Sequence, residues 1–489
     1  MSNTEPMTVV PAVPAARLLA LVGPLGDKPG PLYLALADRI RLLIGDGRVP
    51  VGVRLPAERH LASYADLSRA TVTSAYQRLR ETGWATARQG AGTWTRLPAR
   101  SDAAQPGSWV PAPPDSGVLD LAHAAPSAPP QLAAAYAAAL SELPRYLPNH
   151  GYHPAGLAEL RARIADRYAV RGLPTSAEQV LVTGGALHGI AVAFEALVGR
   201  GDRVLVEHPS YPNALDAITR LHAQAVPVAI NEDEPGGLVD DLFRAARQSA
   251  PRAAYLIPDF QNPTGMVLYP DQRARLAVSL RQQGVVTVID ETLAELALDG
   301  DPCPPYASFA GPEEVVSVGT LSKIAWGGLG VGWLRADQGL VRRLSATAAR
   351  GRLAEPVVDQ LAACYLLDHM DELLAERRHA LRVQRDALVA SLVRALPSWE
   401  VPVPSGGMVV WCRLPYAMSS AIAAAAPSYG LALAAGPRFG TGHAFDDRLR
   451  LPFTHPVDVL ERGVAILAEI TAALPGVRSA QSREPAYVV

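Results

Sequence analysis

At 489 residues the chain is too long for one ordinary domain, and two to four are expected. Hydrophobic residues make up 49% of it, enough for large cores, yet its apolar runs fall far short of a membrane span and no charged-then-apolar leader opens it. The net charge of −2 hides an asymmetry: residues 31–97 carry ten Arg and no Lys against five acidic side chains, which is +5 and leaves −7 for the remainder. A small basic module on a large acidic body points to a polyanion as the module's partner. The three scattered cysteines, Cys303, Cys364 and Cys412, give neither a disulfide framework nor metal-ligand spacing and fit a reducing cytoplasm.

Residues 1–30 are rich in Pro and Ala without a sustained period, and a mostly disordered arm is expected there. From Pro31 the pattern turns helical, with Tyr33, Leu36, Ala37, Ile40, Leu43 and Ile44 on one face and Gly45-Asp46-Gly47 as the stop. A turn over Pro50–Pro56 leads into a short helix over Ala57–Tyr64, and Ser68 is placed to cap a third helix from about Arg69 to Thr82. Val72, Ala75, Tyr76 and Leu79 face inward on that helix. Ala70, Thr73, Ser74 and Gln77 face away, with Arg69 and Thr71 on the flanks. A first turn that is small, hydroxylic and carries one arginine can enter a major groove closely. Gly83–Trp94 then reads as a β-hairpin with a Gly-rich tip, a wing. A three-helix protein-interaction module with an Arg-rich surface is the plainer alternative.

The segments PLYLALADRIRLLI, RLPAERHLA, LSRATVTSAYQRLRETGW and RQGAGTW resemble the winged helix-turn-helix of GntR-type transcription regulators over nearly all of residues 31–97. The resemblance implies double-stranded DNA as partner. It places Arg59, Ser68, Arg69, Ala70, Thr71 and Thr73, with the wing tip Gln89-Gly90, on DNA, and Arg54 in support of the same surface. Ala70 stands where some relatives carry a polar residue, so readout there is weaker or apolar. Residues 98–117, mixing Pro, Ser, Ala and Gly, read as a semi-extended linker.

Beyond the linker, Leu119–Ala122 is a candidate short strand, Gln131–Leu140 an Ala-rich helix and Gly156–Val170 an amphipathic one. Val180–Thr183, Arg203–Glu207, Ala253–Ile257, Val285–Ile289 and Val315–Val318 are short, continuous apolar strands separated by helix-length intervals. That alternation argues an α/β domain with a mainly parallel sheet between helices, whose ligands gather at the carboxyl ends of the strands. Helices from about Val341, strand-like segments within Trp399–Leu414 and a last helix over Pro456–Leu474 read as a smaller C-terminal α+β subdomain. Residues 476–489 read as a tail.

The strand ends carry a constellation. Gly184-Gly185-Ala186 opens a helix with free amides, a ready anion site. Tyr211 follows the next strand and can stack on a planar ligand. Asn262 sits on a Pro/Gly-shaped loop, Asp290 ends a strand where a buried carboxylate needs a cationic partner, and Thr320, Ser322 and Lys323 follow the last strand. Lys323 on its own stretch is either a solvated loop lysine or an amine desolvated enough to be a Schiff-base nucleophile. Taken jointly, these residues describe a pyridoxal phosphate pocket.

GYHPAGLAELRARIADRYAVRGLPTSAEQVLVTGGALHGI, EHPSYPNALDAI, PDFQNPTGMVL, VVTVIDETLAEL, GTLSKIAWGGLGVGWLR and PSGGMVVW resemble fold-type I aminotransferases, and in particular the aminotransferase half of MocR-type regulators. That family fuses a GntR-type winged helix to a pyridoxal 5′-phosphate domain, and the resemblance covers about residues 31–475, with the aminotransferase-like part over 118–475. It implies an aldimine on Lys323, Asp290 at the pyridine nitrogen, Asn262 near the ring hydroxyl and Tyr211 as the stacking ring. It further implies phosphate contacts from Gly185, Ala186, Leu187, Thr320 and Ser322, a carboxylate-gripping role for Arg450, and a homodimer. Two positions depart from the family. Thr292 stands where a tyrosine usually bonds the ring oxygen, and Gly330 where an arginine usually meets the phosphate. Arg350 and Arg352 are near enough in sequence to be substitutes, and His188 is a candidate phosphate neighbour or an ordinary packed histidine. The expected function is a transcription regulator sensing pyridoxal phosphate or an amino compound. A working aminotransferase with an accessory DNA-binding domain, or a constitutive DNA binder on an idle scaffold, stays open.

Overall fold

A computed structural model describes residues 12–23, 31–45, 48–88, 92–96, 111, 113–231, 237–440 and 444–474. Most of the linker, the wing tip Gln89-Gly90 and the tail lie outside the described residues. The chain divides into two compact units, one holding the N-terminal module and one spanning Pro113–Thr471.

The N-terminal unit contains helices α1 (Ala15–Val22), α2 (Leu32–Gly45), α3 (Glu58–Ala65) and α4 (Arg69–Glu81), then the antiparallel hairpin β1 (Ala85–Arg88) and β2 (Gly92–Thr95). Ser68 caps α4 as expected, its Oγ accepting the Thr71 N–H at 3.0 Å. Tyr76 packs beneath and donates its hydroxyl to Pro56 O at 2.9 Å, tying α4 to the preceding turn. The expectation for the arm needs correcting at α1. Leu18 and Val22 are buried with Leu36, Ile40, Ile44, Leu61 and Val72 in one core. Eight residues are too few to show a convincing period, and a helix this short forms only because tertiary contacts bury its apolar side.

In the second unit, β3 (Leu119–Leu121), α5 (Gln131–Glu142) and α6 (Ala158–Val170) precede a run of strand–helix units. These are β4 (Val180–Thr183), α7 (Ala186–Leu197), β5 (Arg203–His208), α8 (Pro212–Arg220), β6 (Gln224–Ala229), α9 (Leu238–Ser249), β7 (Ala253–Leu256), α10 (Pro270–Gln282) and β8 (Val286–Asp290). Strands β9 (Val315–Thr320) and β10 (Gly332–Arg335) complete a seven-stranded sheet in the order β4-β10-β9-β8-β7-β5-β6. All neighbours are parallel except at β10, which runs antiparallel between β4 and β9. The carboxyl ends of β4, β5, β7, β8 and β9 therefore share one edge, and every candidate cofactor residue on those strands opens onto it.

Sequence reasoning missed β6 and β10. β6 is an edge strand, partly exposed and holding Pro227, which only an edge tolerates. β10 is four residues long, and Gly332 is required there because a Cβ would come within 2.6 Å of the Gly185 carbonyl carbon.

Helices α11 (Gln338–Gly351), α12 (Val357–Asp368) and α13 (Met370–Ala395) lead to β11 (Val409–Arg413), α14 (Ser419–Ala425), β12 (Leu431–Ala435), β13 (Arg448–Pro452) and α15 (Val457–Ala473). The small sheet is ordered β11-β13-β12-β3. The subdomain is thus not wholly C-terminal. β3, from the start of the unit, adds a parallel edge strand to β12. No helix among the described residues is long and apolar enough to cross a membrane.

Leu18→Ala tests whether α1 is part of the DNA-module core. Truncating a fully buried leucine is expected to cost about 2–5 kcal/mol, seen as a lower midpoint for thermal unfolding of that unit. A midpoint equal to that of the unsubstituted protein would mean α1 adds nothing to the fold.

Candidate functional site

Strand β9 delivers the lysine. Thr320 Oγ1 donates to Val331 O at 2.8 Å and accepts the Ser322 N–H at 3.1 Å, fixing the turn from which Lys323 projects. Lys323 Nζ donates to Ala124 O at 2.8 Å. Removal from water, with the Arg450 guanidinium adding to it and Asp290 opposing, lowers the amine from 10.5 to about 8. This is not a solvated loop lysine. A useful fraction is a neutral nucleophile near physiological pH.

Asp290, 5% exposed, ends β8 beside that turn. Its Oδ2 accepts the Tyr255 hydroxyl at 2.7 Å and its Oδ1 accepts the Thr292 N–H at 3.0 Å. Tyr255 is wholly buried on β7, and burial together with the Asp290 charge raises its phenol well above the ordinary value, so it stays a donor. Tyr211, the residue before α8, is half-buried, accepts from Asn213 Nδ2 at 3.0 Å, and is likewise raised by burial and by Asp290. Thr292 thus serves Asp290 through its backbone rather than supplying a phenol.

The Asn262 loop is held from both sides. Arg273, fully buried on α10, donates to Asp259 Oδ1 at 2.6 Å, Leu268 O at 2.6 Å, Pro304 O at 2.8 Å and Pro258 O at 3.2 Å. Gln261 Nε2 donates to Pro209 O at 2.8 Å, and its Oε1 accepts the Thr264 N–H at 3.0 Å. Asn262 Oδ1 accepts from Arg450 Nη1 at 3.1 Å.

Arg450, in the middle of the small sheet on β13, also donates to Ala122 O and lies 4.9 Å over the Phe439 ring. Burial lowers it to about 10, so it stays a cation throughout the physiological range. A ligand carboxylate is the natural partner for such a desolvated fork.

At the start of α7, Gly185 takes φ +95° and a Cβ there would meet nothing within 4 Å, which leaves open space before the free amides of Ala186 and Leu187. Thr320 is turned inward to Val331 O, while the Ser322 hydroxyl, 3.0 Å from Thr320 Oγ1, is half-buried. His188 folds back on the turn, its Nδ1 accepting the Gly184 N–H at 3.0 Å. Gly330 is exposed in a left-handed conformation with φ +63°, and no side chain fills the space before it.

A desolvated amine, a buried carboxylate, a half-buried phenol and an open helix start lie on one sheet edge. They fit pyridoxal phosphate. Residues 117–467 match aminotransferase class I and II, and residues 32–94 match the gntR family of bacterial regulatory proteins. The chain belongs to the aminotransferase class I and II family. Joined to its gntR-family domain, this is the MocR-type arrangement, and pyridoxal 5′-phosphate is the family's cofactor.

The MocR-type chain is 28% identical over 438 residues to the uncharacterized HTH-type transcriptional regulator YdcR of Escherichia coli, spanning 84% of this chain and 92% of YdcR. It is 27% identical over 462 residues to the HTH-type pyridoxine biosynthesis transcriptional regulator PdxR of Corynebacterium glutamicum, spanning 91% and 97%. Among solved structures it resembles LysN, the α-aminoadipate aminotransferase of Thermus thermophilus complexed with N-(5′-phosphopyridoxyl)-L-leucine. The TM-score is 0.68 and the identity 28%, over 74% of this chain and 94% of LysN.

On the DNA module, Arg54, Arg59, Ser68, Arg69 and Ala70 are exposed, and Thr71 is half-buried. Thr73 is already engaged, its hydroxyl donating to Glu58 Oε2 at 2.7 Å. Tyr255 and Arg273 escaped the sequence reading because they sit where an ordinary strand or helix residue is expected, and Gln261 because its neighbour Asn262 drew the loop's assignment. Only the fold turns them toward the pocket loops.

With Lys323 near 8, covalent capture of pyridoxal phosphate by the cofactor-free protein is expected to quicken as pH rises towards 8 and to level off above it, because only the neutral amine attacks. Stopped-flow visible absorbance across pH reads this directly. An inflection near the ordinary lysine value of 10.5 would refute the desolvated amine.

Proposed function

We propose that this MocR-type chain binds operator DNA through its winged helix and senses pyridoxal phosphate, or an amino compound presented to it, through Lys323. One observation carries the reading beyond family likeness. Lys323 and Arg450, the two groups a bound ligand would claim, both donate to a single backbone segment, at Ala124 O and Ala122 O. That segment follows β3 and stands directly after the linker to the DNA module. The chemistry pyridoxal phosphate supplies is reversible capture of primary amines at an aldehyde. Lys323 would be the amine that holds the cofactor, and the donor it now gives to Ala124 O would be drawn on for that. Arg450 gives up Ala122 when it takes a carboxylate. Asp290 would hold the ring nitrogen's proton, Tyr211 would stack on the ring and Asn262 would orient it. Gly185, Ala186, Leu187 and Ser322 would form the phosphate cup, with Thr320 bracing the turn behind Ser322.

Occupation of the pocket would thus remove two of the bonds to a segment that leads to the DNA module, and a ligand acts through it to the extent that it binds the altered arrangement better. The effector class is a small amino compound with a carboxylate. In keeping with fold-type I domains the active unit is read as a cytoplasmic homodimer, whose paired modules gain avidity on two half-sites. Arg59, Ser68, Arg69, Ala70, Thr71 and the tip Gln89-Gly90 meet DNA, with Arg54 in support and Thr73 bracing α4 through Glu58. A catalytic reading has one observation in its favour, the nucleophilic amine, and two against it, Thr292 and Gly330. Steady multiple turnover of an amino donor with a keto acid would reverse that ranking.

Gel shift and visible absorbance on the same protein test the proposal. Arg69→Ala is expected to weaken operator binding by about tenfold with the bound-cofactor band intact. Lys323→Ala is expected to lose both the band and the ligand-dependent change in DNA affinity while basal DNA binding persists. A Lys323→Ala protein that still responds to ligand would sink the sensing role.

A further inference from the structure

The phosphate cup lacks its usual cation. Gly330 occupies that position, with open space before it. The guanidinium that touches the turn comes from elsewhere in the chain. A Cβ placed on Gly184 would meet Arg352 Nη1 at 3.3 Å and Glu355 Oε2 at 3.2 Å. Arg352 follows α11 directly, and its Nη1 pairs with Glu355 Oε2 at 2.9 Å.

Glu355 is 8% exposed and its backbone is held: the wholly buried Gln360 donates to its main-chain carbonyl at 3.0 Å, while Gln360 Oε1 accepts the Leu157 N–H at 2.7 Å. Its carboxylate pairs with Arg352 Nη1 through Oε2 and lies 3.2 Å from His188 Nδ1 through Oε1, so it keeps a long, rotamer-rich side chain beside the Gly184 turn. Arg352 itself is half-exposed, and its Nε and Nη2 have no partner among the described residues. A guanidinium has five N–H donors, so it can keep Glu355 and still offer a second edge to a phosphate.

We propose that Arg352, tethered by Glu355, is the cation that grips the cofactor's phosphate in place of the arginine absent at Gly330. The role rests on the reading that pyridoxal phosphate occupies this pocket. Arg350, two residues earlier on α11, is a neighbour of neither Gly184 nor Glu355 among the described contacts and is assigned no part.

The test compares pyridoxal phosphate with pyridoxal, which has the same aldehyde and ring but no phosphate. Both are titrated by visible absorbance into the cofactor-free full chain. Arg352→Gln is expected to raise the Kd for pyridoxal phosphate roughly 10- to 100-fold, the loss of a charge-assisted hydrogen bond. Its Kd for pyridoxal is expected to stay within about twofold of the unsubstituted value. Arg352→Lys, which keeps a point charge without the fork, falls between, and Arg350→Gln matches the unsubstituted protein. An unchanged Kd for pyridoxal phosphate in Arg352→Gln, or equal losses for both compounds, would overturn the assignment. If the unsubstituted protein bound no pyridoxal phosphate, the cofactor reading would fail first, and this one with it.

Discussion

Everything at the candidate site follows from burying charge at the carboxyl edge of a parallel sheet. Lys323, Asp290 and Arg450 are all withdrawn from water there, and a buried charge survives only with partners. Asp290 survives because Tyr255 and the Thr292 amide donate to it. Arg450 survives on Asn262 and the Ala122 carbonyl. Lys323 has a carbonyl partner and a repelling neighbour in Arg450, and it answers by holding its proton less tightly. Reactivity here is what burial leaves when the compensation is incomplete.

The frame that holds these groups is polar as well as apolar. Arg273 and Asp259 form a fully buried pair beneath the Asn262 loop, with the remaining guanidinium donors taken by carbonyls. Such a pair contributes little net stability as a unit, but removing one partner typically costs about 3–5 kcal/mol. Its value is geometric. It fixes Pro258 and Leu268 at the two ends of the loop and so sets where Asn262 can meet Arg450.

The same incompleteness connects chemistry to regulation. Lys323 and Arg450 each donate to one short segment, at Ala124 O and Ala122 O. The gntR-family domain joins this pocket to a DNA-binding module on one chain.

The sequence by itself determined the periodic elements and the chemistry-bearing strand ends. The continuous apolar strands, the Gly-Gly-Ala turn into α7, the Ser68 cap and the places of Asp290 and Lys323 at strand ends were all legible, because each is encoded within a few neighbouring residues. It also marked the two departures at Thr292 and Gly330. Tertiary structure alone decided the remainder. Helix α1 forms because a core elsewhere buries Leu18, and β10 is a strand because β4 and β9 flank it. β3 joins a sheet whose other strands lie far along the chain, from Val409 onward. Arg352 reaches the Gly184 turn across a sequence distance no local pattern spans, and Lys323 is reactive because of the water it has lost. Periodicity records which side of an element is apolar. It does not record which distant backbone will come to cover it.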